Sequence, residues 1–210
     1  MLKTLIFDLG KTIVPFDLQR GFQAISAFGN SGVEEIAARV RNTDLVRQFE
    51  SGGIEPRDFV RAMNTHLGMD VSFEQFSGAW TAIFLPETLI PEAFLAALHE
   101  RYRLLLLSNT NAIHFEMVAE AYPLLRHFDE FILSYKVGAM KPDPAIYQAA
   151  LEKAQCSPEE CFFTDDIVEY VKAAKALGID AVQFQGFEDL QSELRQRGVS
   201  VEAGDGNPER

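Results

Sequence analysis

The sequence is poor in cysteine and in positive charge, and it contains no long apolar run. Its two cysteines, Cys156 and Cys161, lie close together with no third ligand-type residue beside them. That pattern supports neither a disulfide framework nor a zinc site, so both are expected to be free thiols. No stretch reaches the roughly 18 apolar residues of a membrane span, and the opening run to Phe7 carries a lysine and no small-residue cleavage site. The expectation is a cytoplasmic protein with no membrane partner. Lys and Arg number 19 against 31 Asp and Glu, giving a formal net charge of -12 with no basic run. Such a balance argues against a nucleic-acid surface, and no nucleic-acid partner is expected. A small anionic ligand would need local positive charge, from a bound metal and one or two lysines.

What is present suits a globular fold: 210 residues, 47% of them hydrophobic, can bury the core of one domain with an insertion or of two small domains. Short apolar runs bounded by polar residues occur at 3–8 (KTLIFD), 103–108 (RLLLLS), 130–134 (EFILS), 161–165 (CFFTD) and 180–184 (DAVQF). They read as buried strands. Helix-like segments at 112–121, 143–154 and 169–177 alternate with the later runs. Alternation of this kind predicts an α/β fold, a Rossmann-like parallel sheet with helices on both faces.

The interval between the first run and the second far exceeds the roughly dozen residues of a crossover. It shows helical spacing instead, in Phe22, Ile25 and Phe28, in Phe59, Met63 and Leu67, and in Phe73, Phe76, Trp80 and Phe84. Gly32, Gly52, Gly53, Pro56 and Gly68 punctuate it as turns. The expected organisation is a catalytic core at 1–14 and 86–205, a small all-helical cap inserted at 15–85 after the first strand, and a frayed tail at 206–210. The aromatic stripe of the insertion is expected to be packed core.

In an open parallel sheet, ligands bind beyond the carboxyl ends of the strands. Four polar clusters fall there: Asp8 after the first strand, Ser108, Asn109 and Thr110 after the second, Lys141 before a proline-started helix, and Asp165 with Asp166 after the fourth. Any one of them alone reads as a turn, cap or surface residue. Together they suit a phosphate monoester and a divalent cation. Carboxylates held together repel unless a hard cation such as Mg²⁺ neutralises them, and Asp8, Asp165, Asp166 and the carbonyl of Gly10 form the expected metal set. Asp8 is the expected nucleophile, forming an acyl phosphate that water then hydrolyses. Ser108 and the backbone N–H groups of Asn109 and Thr110 are expected on the phosphoryl oxygens, with Lys141 balancing the remaining charge.

FDLGKT, LLLSNTN, GAMKPDPAIY and FFTDD followed by VKAAKALGI, in this order across nearly the whole chain, resemble the four motifs of the haloacid dehalogenase-like hydrolases. The long insertion resembles that family's helical cap of the first type. Within the family, FDLG with LSNTN, His114, Tyr122-Pro123 and KPDPAIY is most similar to sugar-phosphate phosphatases of the α-D-glucose-1-phosphate phosphatase type. The resemblance implies a Mg²⁺-dependent phosphatase acting on a small phosphorylated metabolite; apart from the resemblance, a monomer or weak homodimer is expected.

The chain departs from the family pattern at Gly10, where most of its phosphatases carry a second aspartate that protonates the leaving oxygen and activates water. Loss of such a group costs about 10² to 10⁴ in rate, less for a good leaving group. Asp17 and His114 are the candidate substitutes. Tyr170 also stands where the family often has Asn. A 2-haloacid dehalogenase, which uses no metal, fits poorly with Asp165 and Asp166 paired. A phosphate- and metal-binding pseudo-enzyme is the reading that Gly10 keeps open. Phe16, Arg20, Phe49 and Trp80 are the expected candidates for substrate selection.

Overall fold

Residues 1–199 are described by a computed structural model. The expected tail at 206–210, and the last residues assigned to the core, lie outside the described residues. Five parallel strands, β1 (Thr4–Phe7), β2 (Arg103–Ser108), β3 (Glu130–Leu133), β4 (Cys161–Asp165) and β5 (Asp180–Gln183), form one sheet in the order β3-β2-β1-β4-β5. All pairs are parallel. Strand β1 is central and wholly buried, which is why its sequence is a continuous apolar run rather than an alternating one.

Side chains alternate across the sheet and feed two separate cores. Leu5, Phe7, Leu104, Leu106 and Phe162 face one side, under α6 (Glu92–His99), α7 (Ala112–Ala121) and α11 (Phe187–Gln196). Ile6, Leu105, Leu107 and Phe163 face the other, under α9 (Pro144–Ala154) and α10 (Val168–Ala176). A short helix, α8 (Ser134–Val137), follows β3 directly. The fold is thus the expected α/β sheet with helices on both faces. Helices α6 and α11 were not anticipated. Each nevertheless places a leucine pair, Leu95 with Leu98 and Leu190 with Leu194, at helical spacing in the first core.

Between β1 and β2 the chain forms α1 (Leu18–Ser26), α2 (Val33–Arg41), α3 (Leu45–Glu50), α4 (Pro56–Leu67) and α5 (Phe73–Thr81). These helices share a third core built on Phe22, Ile25, Phe49, Phe59, Phe76 and Trp80. Local chemistry sets their ends. Asp17 accepts a hydrogen bond from the Gln19 N–H at 2.9 Å and caps α1, Ser72 and Gln75 form a reciprocal capping box at α5, and Gly68 closes α4 in the left-handed conformation. Phe28, expected on the buried stripe, lies beyond the end of α1 and is exposed. The helix stops one turn too soon to carry it inward.

The two chain segments that join this helical unit to the sheet run side by side. The Asp17 N–H donates to the Ile83 carbonyl at 2.8 Å, the Leu85 N–H to the Pro15 carbonyl at 3.1 Å, and Phe16 pairs with Phe84. No helix among the described residues is long and apolar enough to cross a membrane.

Candidate active site

Sheet register brings the acidic residues together. Phe7 is paired with Thr164, and the Asp8 N–H donates to the Thr164 carbonyl at 3.0 Å, so Asp8 and Asp165 leave adjacent strands at the same level. Beyond Asp8 the chain turns tightly: the Ile13 and Val14 N–H groups both donate to the Leu9 carbonyl at 2.9 Å, and Lys11 takes a positive φ of 57°.

Lys141 closes the cluster. Its Nζ donates to Asp8 Oδ1 at 2.6 Å, to Asp165 Oδ2 at 2.5 Å and to the Leu107 carbonyl at 3.0 Å, which uses all three ammonium protons. The Lys141 side chain is 1% exposed and that of Asp165 likewise, against 9% for Asp8, so the ammonium is a structural counter-charge as well as a candidate catalytic one. Carboxylate oxygens of Asp8, Asp165 and Asp166 lie within 4.8 Å of one another. With all three ionised, one ammonium leaves the cluster two charges negative. A single divalent cation would restore neutrality, and an all-oxygen set suits a hard ion such as Mg²⁺. Burial pushes the Asp8 carboxyl up to about 7 against the pull of Lys141, and burial with the neighbouring Asp165 raises Asp166. Burial works against the charge on Lys141, but Asp8 and Asp165 outweigh it and hold the ammonium above its ordinary range.

The second strand contributes differently from expectation. Ser108 and Thr110 are buried there. The Thr110 N–H, expected on a phosphoryl oxygen, donates instead to Ser134 Oγ at 2.9 Å, and that hydroxyl donates back to the Thr110 carbonyl at 2.9 Å. The Asn109 side chain clamps the Lys141 backbone: Nδ2 donates to its carbonyl at 2.9 Å and Oδ1 accepts from its N–H at 2.7 Å. The Asn109 amide thus fixes the lysine loop. Ser134 was missed by sequence reasoning, although it stands just after the third strand, where the same rule about strand ends applies. Tyr170, at the position that departs from the family pattern, puts its ring 5.2 Å from Lys141 Nζ.

Neither candidate substitute for the absent acid is placed to serve. Asp17 is spent on capping α1 and is exposed. His114 is buried, with Nε2 at 3.0 Å from the Trp80 carbonyl and Nδ1 at 3.0 Å from Asn111 Nδ2. Only an Nε2–H donor and an Nδ1 acceptor satisfy both contacts, and burial pushes this imidazole down to about 4. Gly10 itself has a neighbour in the way: a Cβ there would lie 2.8 Å from Phe16 Cε1. Phe16 therefore fills the space that an aspartate would need. Gly10→Asp alone is expected to lower the melting temperature and leave alkyl-phosphate turnover low. Gly10→Asp with Phe16→Ala is expected to raise that turnover, toward the roughly 10² to 10⁴ of a positioned acid-base group. Melting curves and phosphate release from both variants check this.

A cavity of about 560 Å³ opens among α1, α2, α3 and α5, with Phe16, Trp80, His114 and Glu50 in its wall. Of the residues expected to select substrate, Phe16 and Trp80 line it, whereas Phe49 is buried and stacked on Phe59 at 4.2 Å. Arg20 is not part of its wall. Glu50 was not anticipated, since an isolated glutamate near a helix end gives no signal in sequence. Burial pushes its carboxyl up to about 7.

Known proteins carry the same arrangement of sheet and helices. The profile of the haloacid dehalogenase-like hydrolases matches residues 2–178. A D-ribitol-5-phosphate phosphatase of Bacteroides thetaiotaomicron is 28% identical over 92% of this chain and 97% of its own length. A sesquiterpene phosphatase of Aspergillus oryzae is 28% identical over 74% of this chain and 80% of its own. The solved structure of a family enzyme from B. thetaiotaomicron, bt-2542, in complex with magnesium and inorganic phosphate, superposes with a TM-score of 0.83 at 31% identity, covering 93% of this chain and all of that one. With four motifs in order, a shared fold and a family profile spanning most of its length, the chain belongs to the haloacid dehalogenase-like hydrolases.

Proposed function

We propose that this hydrolase is a Mg²⁺-dependent phosphatase that cleaves the monoester of a small phosphorylated metabolite through an aspartyl phosphate on Asp8. The observation that carries this reading is the buried cluster at the ends of β1 and β4, where Lys141 bonds both Asp8 and Asp165 and Asp166 lies beside them. The magnesium and phosphate bound by bt-2542 support it. The metal would be held by Asp8, Asp166 and the Gly10 carbonyl, with Asp165 helping to orient them. Once bound it would polarise a phosphoryl oxygen and offset the excess of carboxylate charge.

This chain's own residues do the rest. An Asp8 oxygen attacks phosphorus, the bond from phosphorus to the ester oxygen breaks, and the leaving alkoxide takes a proton from solvent. Water then attacks the acyl phosphate, the bond from phosphorus to Asp8 breaks, and inorganic phosphate departs as the water gives up a proton. Lys141 favours the ionised form of Asp8 and aims it, and Ser108 with the Asn109 N–H is proposed to hold the phosphoryl oxygens. Residues 15–85 act as a cap over the site, hinged where the two connecting segments lie side by side.

The relatives differ in the polarity of the group they release. The D-ribitol-5-phosphate phosphatase supports a sugar-type phosphate as substrate, in keeping with the motif resemblance, and the sesquiterpene phosphatase points the other way. The pseudo-enzyme reading has one observation in its favour, the Phe16 ring against Gly10. Paired carboxylates disfavour a metal-free dehalogenase. The test is phosphate release from a panel of sugar, acyl and aryl phosphates, with Mg²⁺ and with chelator. Asp166→Ala is expected to raise the magnesium needed for half-maximal rate by about tenfold or more. Equal rates with chelator would remove the metal from the account.

A further inference from the structure

The cavity in the helical unit shares a wall residue with the turn that carries the nucleophile. Phe16 is common to both: it forms one wall of the cavity and also packs against Gly10, two residues past Asp8. On another side α3 leads to Gly52, whose Cα faces the Tyr135 carbonyl in α8, just beyond the end of β3. The cavity thus adjoins the carboxyl edge of the sheet, and its volume of about 560 Å³ falls in the usual range for ligand sites.

Its floor is mainly apolar. Phe22, Ile25, Val40, Trp80 and Ile83 line it, each no more than 7% exposed. The imidazole of His114 is there too, but both its nitrogens are taken by Asn111 and the Trp80 carbonyl. Arg41, Asp44 and Arg47 belong to the wall but are exposed, placing their charges at the mouth. Two other lining residues carry polar groups without a hydrogen-bond or ion-pair partner among the described residues: Glu50, a half-buried carboxyl, and Trp80, whose indole N–H is buried.

We infer that this cavity takes the alcohol portion of the substrate, and that this portion is a mainly apolar carbon body bearing one or two polar groups, which Glu50 and the Trp80 indole N–H meet. The inference rests on the phosphatase reading for the placement of the phosphoryl group and on the cavity alone for the chemistry of what is released. A polyol would set several hydroxyls against the apolar floor, and each one left unpaired weakens binding by about five- to a hundredfold. An alkyl chain gains instead, by about fourfold for each methylene buried. Because burial holds the Glu50 proton up to about pH 7, a substrate hydroxyl or ether oxygen can accept from it.

The experiment measures kcat/KM for n-alkyl phosphates from ethyl to octyl, for a pentitol phosphate, and for acetyl phosphate as a reference that leaves the cavity empty. The expected result is a rise of about fourfold per methylene until the cavity is filled, with pentyl phosphate well ahead of the pentitol phosphate. Val46→Phe, which narrows the cavity at a wall residue, should lower the ratio of octyl to acetyl turnover by about tenfold or more. A flat alkyl series, or a pentitol phosphate preferred over pentyl, would overturn the inference while Asp8-dependent acetyl phosphate turnover kept the phosphatase reading intact. If no ester is cleaved, that reading falls and binding decides the matter. Trp80 is the one tryptophan of the sequence and lines the cavity, so octanol should change its fluorescence saturably, and weakly or not at all in Val46→Phe. No change in the unsubstituted chain would overturn the inference.

Discussion

Asp8→Asn is expected to lower phosphate release by on the order of 10⁴ to 10⁶ while leaving the chain folded. The amide keeps the shape of the carboxylate but cannot attack phosphorus, and it removes one of the two carboxylates proposed to hold the metal. The fold should not suffer. Lys141 retains its contacts to Asp165 and the Leu107 carbonyl, and the charge removed is one whose burial is costly. Circular dichroism and a melting temperature at or above that of the parent, alongside lost turnover, are the outcomes expected. Turnover within tenfold of the parent would exclude Asp8 as nucleophile.

Lys141→Met should be costly in a different way. The substitution keeps an unbranched apolar side chain but deletes the ammonium that lies near the Phe163 and Tyr170 rings, so Asp8 and Asp165 are left buried and uncompensated. Breaking a buried pair by removing one partner costs about 3 to 5 kcal/mol, a large share of the stability of a typical domain. Denaturant unfolding at neutral pH checks the figure. Added Mg²⁺ should restore part of the loss, because an ion that binds only the folded chain stabilises it by mass action. Turnover should fall even where the fold is rescued, since a divalent ion cannot also supply the contacts of Nζ to Asp8 and Asp165. Lys141→Arg should not recover activity, because a planar guanidinium does not fit three acceptors arranged around a compact ammonium.

Much of this was legible in the sequence because the sheet is parallel. A strand buried on both faces must be a short apolar run, so β1, β2 and β4 stood out, and the residues just past their ends became candidates before any coordinate was known. Asp8, Asp165 and Asp166 come together as that rule implies, and Lys141 reaches them from the loop before α9. Contacts that depend on how loops cross were not legible. The Asn109 amide holds the Lys141 backbone from 32 positions away, and Ser134 takes the Thr110 N–H from 24 positions away. Such pairings follow from the order of strands in space, which periodicity does not encode. Phe28 was misplaced because helix length, not spacing, decided its fate. Phe16 could not be assigned against Gly10 because the turn after β1 folds back on itself, through a left-handed Lys11, to bring the ring there.

Gly10 and Phe16 together give the departure from the family pattern a physical form. The position lacks a carboxyl, and a ring that also walls the cavity occupies the space. In the proposed mechanism, protonation of the leaving oxygen would fall to solvent, and binding of the released group would carry more of the selectivity.

The stereochemical course at phosphorus tests the central claim most directly. A substrate made chiral with oxygen isotopes and sulfur would be hydrolysed in isotopically labelled water, and the configuration of the released thiophosphate determined. Two in-line displacements, first by Asp8 and then by water, predict net retention. Net inversion would mean that water attacks the ester directly, and would contradict the aspartyl phosphate on Asp8.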